Sequence, residues 1–201
     1  MKSRKKVITL VSVSAVLVAL EIVLNRFCSI NTAGLKIGFA FVPPTLAAIA
    51  FGPWIGAAVY AVSDLLGAVI FPIGPYHPGF TACAALMGIV SGFLLCKNPI
   101  NIRRESERGS FSLILSRKRV PLLPNILAAV IINCILFGLI INTAWVSMLY
   151  DSKTYWGWFL YRILEYSLMI PVQIVIIPLL IRISDPVRKI LRMTAESPEE
   201  K

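Results

Sequence analysis

Five charged residues sit inside otherwise apolar runs of this chain: Glu21, Arg26, Asp64, Arg162 and Glu165. Each costs at least ~2.5 kcal/mol in a bilayer unless paired or wetted, so any chemistry should be sought among them. Carboxylates and a lone histidine, His77, are the raw material of proton transfer. Yet no HExxH, no GxSxG and no carboxylate pair at useful spacing accompanies them. No G-x-x-x-x-G-K-[ST] loop is present either, so the chain has no nucleotide-hydrolysing site of that type. The set suits binding better than catalysis. Guanidinium groups take carboxylates in bidentate pairs, and Arg26, Asp64 and Arg162 all fall toward the same end of their apolar runs. A polar cavity open at that end accounts for all three. Simpler fates remain for each: Arg26 can snorkel to the interface, and Arg162 and Glu165, three apart on one helix, can pair with each other.

Other candidate ligand groups gather at the same level. Trp145 lies a turn inside its helix end, and His77 sits in a proline-rich loop, "PIGPYHPG". Tyr76, Tyr150, Tyr155, Trp156 and Trp158 read as an interfacial aromatic belt. Between the first two apolar runs lies "NRFCSINTAGLKIGFAFVPP" (25–44). Its small polar residues, Asn31 among them, and the cation Lys36 suit a lid whose backbone donors close over an anion. The cysteines Cys28, Cys83, Cys96 and Cys134 form no CxxC and have no histidine at metal spacing, so neither metal nor disulfide is expected.

The elements that must hold these groups are helices. The chain has 201 residues, 57% of them hydrophobic, with a mean hydropathy of +0.79. That composition describes one polytopic membrane domain. Apolar runs predict helices over roughly 7–27, 36–51, 54–72, 79–97, 122–149 and 157–182, with "FGPW" and "DSKTYWGW" among the turns. The first run is longer than the apolar core of a signal peptide and has no A-x-A exit, so it reads as a retained helix.

The net charge of +10 is not spread as on a nucleic-acid-binding surface. Four Lys/Arg precede the first run, seven lie in 97–119 and five follow position 181. With six helices these three segments share one side, which the positive-inside rule makes cytoplasmic. The expectation is an all-α integral membrane bundle of six transmembrane helices with both termini cytoplasmic. It includes a basic cytoplasmic loop at 98–121 and a cytoplasmic tail at 186–201. The loop suits anionic lipid head groups, and its "SFSLILSRKR" reads as a short interfacial helix. Small residues four apart, Ala15/Ala19, Gly52/Gly56 and Gly88/Gly92, predict close helix packing.

Three stretches carry a family likeness. "LNRFCSINTAGLKIGFAFVP" (24–43), "FGPWIGA" (51–57) and "SDLLGAVIFPIGPYHPGFT" (63–81) resemble the folate-specific substrate-binding component of energy-coupling factor (ECF) vitamin transporters. The likeness covers about 5–97 strongly and the last two helices more loosely. It implies folate bound near the outer side beneath the first extracellular loop, by residues drawn from Arg26, Asn31, Lys36, Asp64, His77, Phe80, Asn142, Trp145 and Arg162. It further implies a complex with a membrane coupling subunit and two cytoplasmic ATPase subunits. Ala15 and Ala19 match the family's AxxxA, which faces the coupling subunit, and import by toppling of the whole component is implied as well. No catalytic residue, resident cofactor or nucleic-acid partner is expected. The competing readings are a component for riboflavin or thiamine, a small intramembrane enzyme, and a scaffold without ligand.

Overall fold

The computed structural model describes residues 2–32, 35–72, 74–96, 100–104, 111–115, 123–150 and 154–196. Long helices dominate it: α1 (Lys2–Phe27), α3 (Pro53–Ile70), α4 (Pro78–Leu95) and α7 (Tyr155–Glu196). A further rod, Leu123–Leu149, is α-helical at its ends, α5 (Leu123–Ile131) and α6 (Asn142–Leu149), and π-helical over Ile132–Ile141 between them. Among the described residues these make five helices long and apolar enough to cross a membrane. The remaining helix, α2 (Val42–Phe51), has only 10 residues.

The arrangement follows from that short helix. α2 packs against α1, α3, α4 and α7, and Ala47, Ala48, Ile49, Ala50 and Phe51 are all completely buried. A helix apolar on every side has no solvent face to offer and belongs in the middle. At 1.5 Å per residue it rises ~15 Å, about half the apolar thickness it sits in. Its C-terminal end meets the ends of α4 and α7, where Arg188 donates from Nε to Ala50 O (2.6 Å) and from Nη2 to Ile49 O (2.8 Å). Those are carbonyls a helix end leaves unpaired, and the guanidinium serves both while also reaching Cys96 Sγ at 3.0 Å. We call this the basic end, and the opposite one the mouth.

From α2 the chain reverses into α3 through Gly52, whose φ of 103° is a left-handed conformation that only glycine adopts at little cost. Close approach then continues on small residues, as their spacing predicts. A Cβ on Gly56 would stand 2.6 Å from Ala48 Cβ, and one on Gly88 2.6 Å from Ala57 N. Gly92 is equally tight against Pro53, so α2, α3 and α4 form one close-packed layer. Ala15 and Ala19, the third such pair, lie exposed on α1 beside Val11, Val16, Leu20 and Val23.

Several expectations need correction. The helical bundle holds, with two short hairpins added that were not expected: β1 (Ile30–Thr32) pairs antiparallel with β2 (Leu35–Ile37), and β3 (Ile100–Arg104) with β4 (Phe111–Leu115). The second helix starts at Val42 rather than 36, because "LKI" is committed to the first hairpin and Pro43 and Pro44 suit only a helix start. Within "SFSLILSRKR" the described part is strand β4 and not an interfacial helix. Its Phe111, Leu113 and Leu115 alternate with period two and oppose Arg104, Ile102 and Ile100; residues 116–120 lie outside the described residues. The last helix runs on through Pro171, Pro178 and Pro186 to Glu196, into the segment expected as a tail.

Arg188→Ala should cost about 3 kcal/mol, since it strands two buried carbonyls that one guanidinium now satisfies. Thermal unfolding of the purified chain measures this, with Arg188→Lys expected to recover part of the loss.

Candidate functional site

Since α2 fills only the basic half of the bundle centre, the mouth half above it is a cavity of about 560 Å³. Its α4 wall extends from Phe80 to Ser91, ~17 Å along the axis at the helical rise. The irregular segment before α2 (Gly38, Ala40 and Phe41) and then Pro44 and Thr45 form another wall. Non-helical backbone at this depth is tolerable because it lines a cavity instead of facing lipid.

The polar lining divides by depth. Toward the mouth lie Glu21, Asn25 and Arg26 of α1, Asp64 of α3, Asn142 of α6, and Arg162 and Glu165 of α7. Helical spacing pairs several of them. Asn25 Nδ2 donates to Glu21 Oε1 at 2.7 Å, Arg162 Nε stands 3.6 Å from Glu165 Oε2, and Arg162 Nη2 donates to Tyr166 Oη at 3.1 Å. Asp64 is held from α4, where Thr81 Oγ1 donates to its Oδ2 at 2.6 Å and is itself 2.8 Å from Tyr76 Oη. Arg26 lies along α3, its Nη2 3.3 Å from where a Cβ on Gly67 would stand. The deeper polar groups are neutral. Thr45 Oγ1 and Tyr60 Oη are 2.6 Å apart, and Asn133 Nδ2 donates to Ser91 Oγ at 2.8 Å.

Several buried polar atoms on this lining have no hydrogen-bond partner among the described residues: Arg26 Nε, Arg162 Nη1, Ser63 Oγ, Asn133 Oδ1 and Asn142 Oδ1. A native interior holds few such atoms and rarely several around one void. Their concentration makes the cavity the candidate ligand site.

The structure brings five of the expected site residues, Arg26, Asp64, Phe80, Asn142 and Arg162, to this lining. His77 and Trp145 are not among the lining residues. They stack on each other outside it, ring centres 4.6 Å apart and planes at 23°. His77 also caps α4, its Nδ1 accepting from Gly79 N at 3.0 Å. Asn31 and Lys36 face each other in the β1–β2 register, and their side chains lie outside the described residues. Sequence reading missed Tyr60, Asn133, Tyr166 and Gln173, and it assigned Tyr150 and Trp158 to an interfacial belt. Trp158 is instead 4% exposed and lines the cavity 5.8 Å from the Tyr150 ring. A usable signal existed for Tyr166, four residues after Arg162 on the same helical face, and for Asn133, an amide in the middle of an apolar run.

Comparison with known proteins decides the family. The model of the ECF transporter substrate-specific component matches residues 9–181. The chain belongs to that family. A relative from Clostridium novyi (strain NT) named "Folate transporter FolT" is 32% identical over 163 residues, covering 81% of this chain and 82% of its own length. Another of that name, from Leuconostoc mesenteroides subsp. mesenteroides, is 27% identical over 164 residues, covering 80% and 77%. Among solved structures, one described as "Crystal structure of FolT bound with folic acid" superposes with a TM-score of 0.67 at 25% identity. It covers 83% of this chain and 89% of that one. As a substrate-specific component the protein is part of a transporter and not an enzyme, which fits a cavity lined for holding rather than reacting.

His77→Ala should lower the unfolding free energy by about 1 kcal/mol, through loss of the α4 cap, as measured by thermal unfolding.

Proposed function

We propose that this protein is the folate-binding subunit of an ECF-type importer. The observation that carries the reading is the pair of guanidiniums, Arg26 and Arg162, each with a buried N–H that lacks a partner among the described residues. Folate presents two carboxylates on its glutamate tail and a flat pteridine with a donor–acceptor edge. The tail suits Arg26 and Arg162, with Lys36 a further cation from the lid. The pteridine suits the remainder of the lining, with Phe80 as an apolar face and Asp64 or Asn142 as edge partner. A cavity of 560 Å³ falls within the usual range for small-molecule sites. The relatives' name and the folic acid in the neighbouring structure support the same ligand.

The three carboxylates on the lining favour a second reading, a cationic vitamin such as thiamine. Against it, each is already engaged by the protein: Glu21 by Asn25, Asp64 by Thr81, and Glu165 by Arg162. Riboflavin lacks the dianion that two free guanidinium donors suit.

In the membrane, α2 with the irregular segment before it makes the sixth crossing, and both termini lie in the cytoplasm, a reading supported by the clustered basic segments. The chain delivers folate by toppling within a complex of a membrane coupling subunit and two ATPase subunits. The exposed Ala15/Ala19 face of α1 docks on the coupling subunit, where small side chains allow close helix contact.

Tryptophan fluorescence of the detergent-purified chain, titrated with folate, riboflavin and thiamine, tests the ligand. Saturable quenching by folate alone is expected, reported by Trp158 in the cavity wall; quenching by thiamine instead would overturn the assignment. Arg26→Ala should weaken folate binding more than tenfold, since a charge-assisted contact is lost. Ala15→Trp with Ala19→Trp should leave binding intact and abolish cellular uptake, and normal uptake would remove α1 from the coupling interface.

A further inference from the structure

Asn133 and Asn142 are nine residues apart on one continuous rod, yet both line the cavity. In an α-helix nine residues make about two and a half turns, which sets two side chains on opposite faces. The stretch between them is π-helical, Ile132–Ile141, with Asn142 N bonded to Phe137 O five residues back. The wider i→i+5 turn takes about 4.4 residues, so nine residues make about two turns and both amides face the same way. From Asn142 onward the α-helical spacing of four resumes on the lining, with Val146 and then Tyr150.

The surrounding residues sustain this winding. Two carbonyls at the end of the π-helical stretch accept from side chains. Thr143 Oγ1 donates to Leu139 O, and Tyr155 Oη donates to Ile140 O at 3.4 Å. Gly138 lets the widened rod lie against α7, for a Cβ there would be 2.5 Å from Tyr166 Oη.

Both amides end in a free acceptor. Asn133 is oriented by its Nδ2 bond to Ser91 Oγ, and the Oδ1 atoms of Asn133 and Asn142 are buried with no partner among the described residues. π-helical turns occur disproportionately at functional sites, and here the consequence is concrete.

We propose that the π-helical stretch Ile132–Ile141 is the specificity element of the cavity, winding the helix so that Asn133 and Asn142 present their side-chain oxygens together as acceptors for N–H groups at the ligand's ring end. The proposal rests on the folate reading of the site and names the contacts that distinguish ring from tail. The amino group and ring N–H on the pteridine edge suit one of these oxygens, and the N–H that links the ring to the aminobenzoyl group lies farther along the molecule and suits the other. The glutamate tail, ionised, supplies none at its carboxylates and belongs to the arginines. Wound as an α-helix, the same sequence would carry Trp145 to the face of Cys134 and turn Asn142 away.

The test compares folic acid with pteroic acid, which keeps the ring and lacks the glutamate, by fluorescence titration of the full-length chain. Asn133→Leu and Asn142→Leu are each expected to weaken both ligands by the same factor, tenfold or more. Arg26→Ala should weaken folic acid far more than pteroic acid. Asn142→Asp, which retains an acceptor oxygen in the same shape, should keep pteroic acid within about fivefold of the unsubstituted chain. Thermal unfolding of each ligand-free variant separates a folding defect from a lost contact. Equal affinity of both leucine variants and the parent chain would overturn this proposal alone, as would a loss confined to folic acid. Failure of the unsubstituted chain to bind either ligand would overturn the folate reading and this inference together.

Discussion

A ten-residue helix occupies a space about twice its length, and much of the molecule answers to that mismatch. Buried on every side, α2 cannot leave its carbonyl end unpaired, because no water reaches it to compensate. Arg188 closes that end from the last helix and ties it to Cys96 on α4. The cavity is the other consequence. With the basic half of the centre filled by Ala47–Phe51, the mouth half is left for polar side chains from five surrounding rods. Binding site and core are therefore two halves of one column, and whatever moves α2 moves Pro44 and Thr45 in the cavity wall.

Polar groups inside an apolar bundle obey a second constraint, that each needs a partner. Most of those here find one within a helical turn or on the facing helix: Glu21 with Asn25, Arg162 with Glu165 and Tyr166, Asp64 with Thr81. Most of those that do not are grouped around the void and differ in kind. The guanidinium donors lie toward the mouth and the amide acceptors span its depth. On the proposed reading, a ligand with an anionic tail and a donor-bearing ring would complete that set, which is the physical ground for preferring folate to a cation or a purely apolar guest.

The bilayer-spanning character, the rough bounds of five of the six expected helices, and the small-residue contacts of Gly56, Gly88 and Gly92 were legible from the residues. Apolar length and small-xxx-small spacing are local properties that lipid reads directly. Arg26, Asp64 and Arg162 were legible as a group for the same reason, because a charge in an apolar run is conspicuous. The β1–β2 hairpin and the late start of α2 were harder to see. "GLKIGFAFVPP" is apolar enough to continue a helix, and only pairing with Ile30–Thr32 draws "LKI" into a strand.

Trp145, His77 and Asn133 mark where sequence stops being sufficient. A helix that is read with 3.6 residues per turn puts Trp145 on the face of Cys134 and leaves Asn133 with no relation to Asn142. The rod instead widens over Ile132–Ile141, Trp145 turns out to stack on His77, and Asn133 joins Asn142. Sequence by itself determined that this chain lives in a membrane, which charges it must shelter there and which family it resembles, because hydropathy and charge act residue by residue. Tertiary structure alone decided which side chains share the cavity. Helical phase accumulates along the chain, and a small change per turn, held by Thr143, Tyr155 and the contact of Gly138 with Tyr166, reverses which face looks inward.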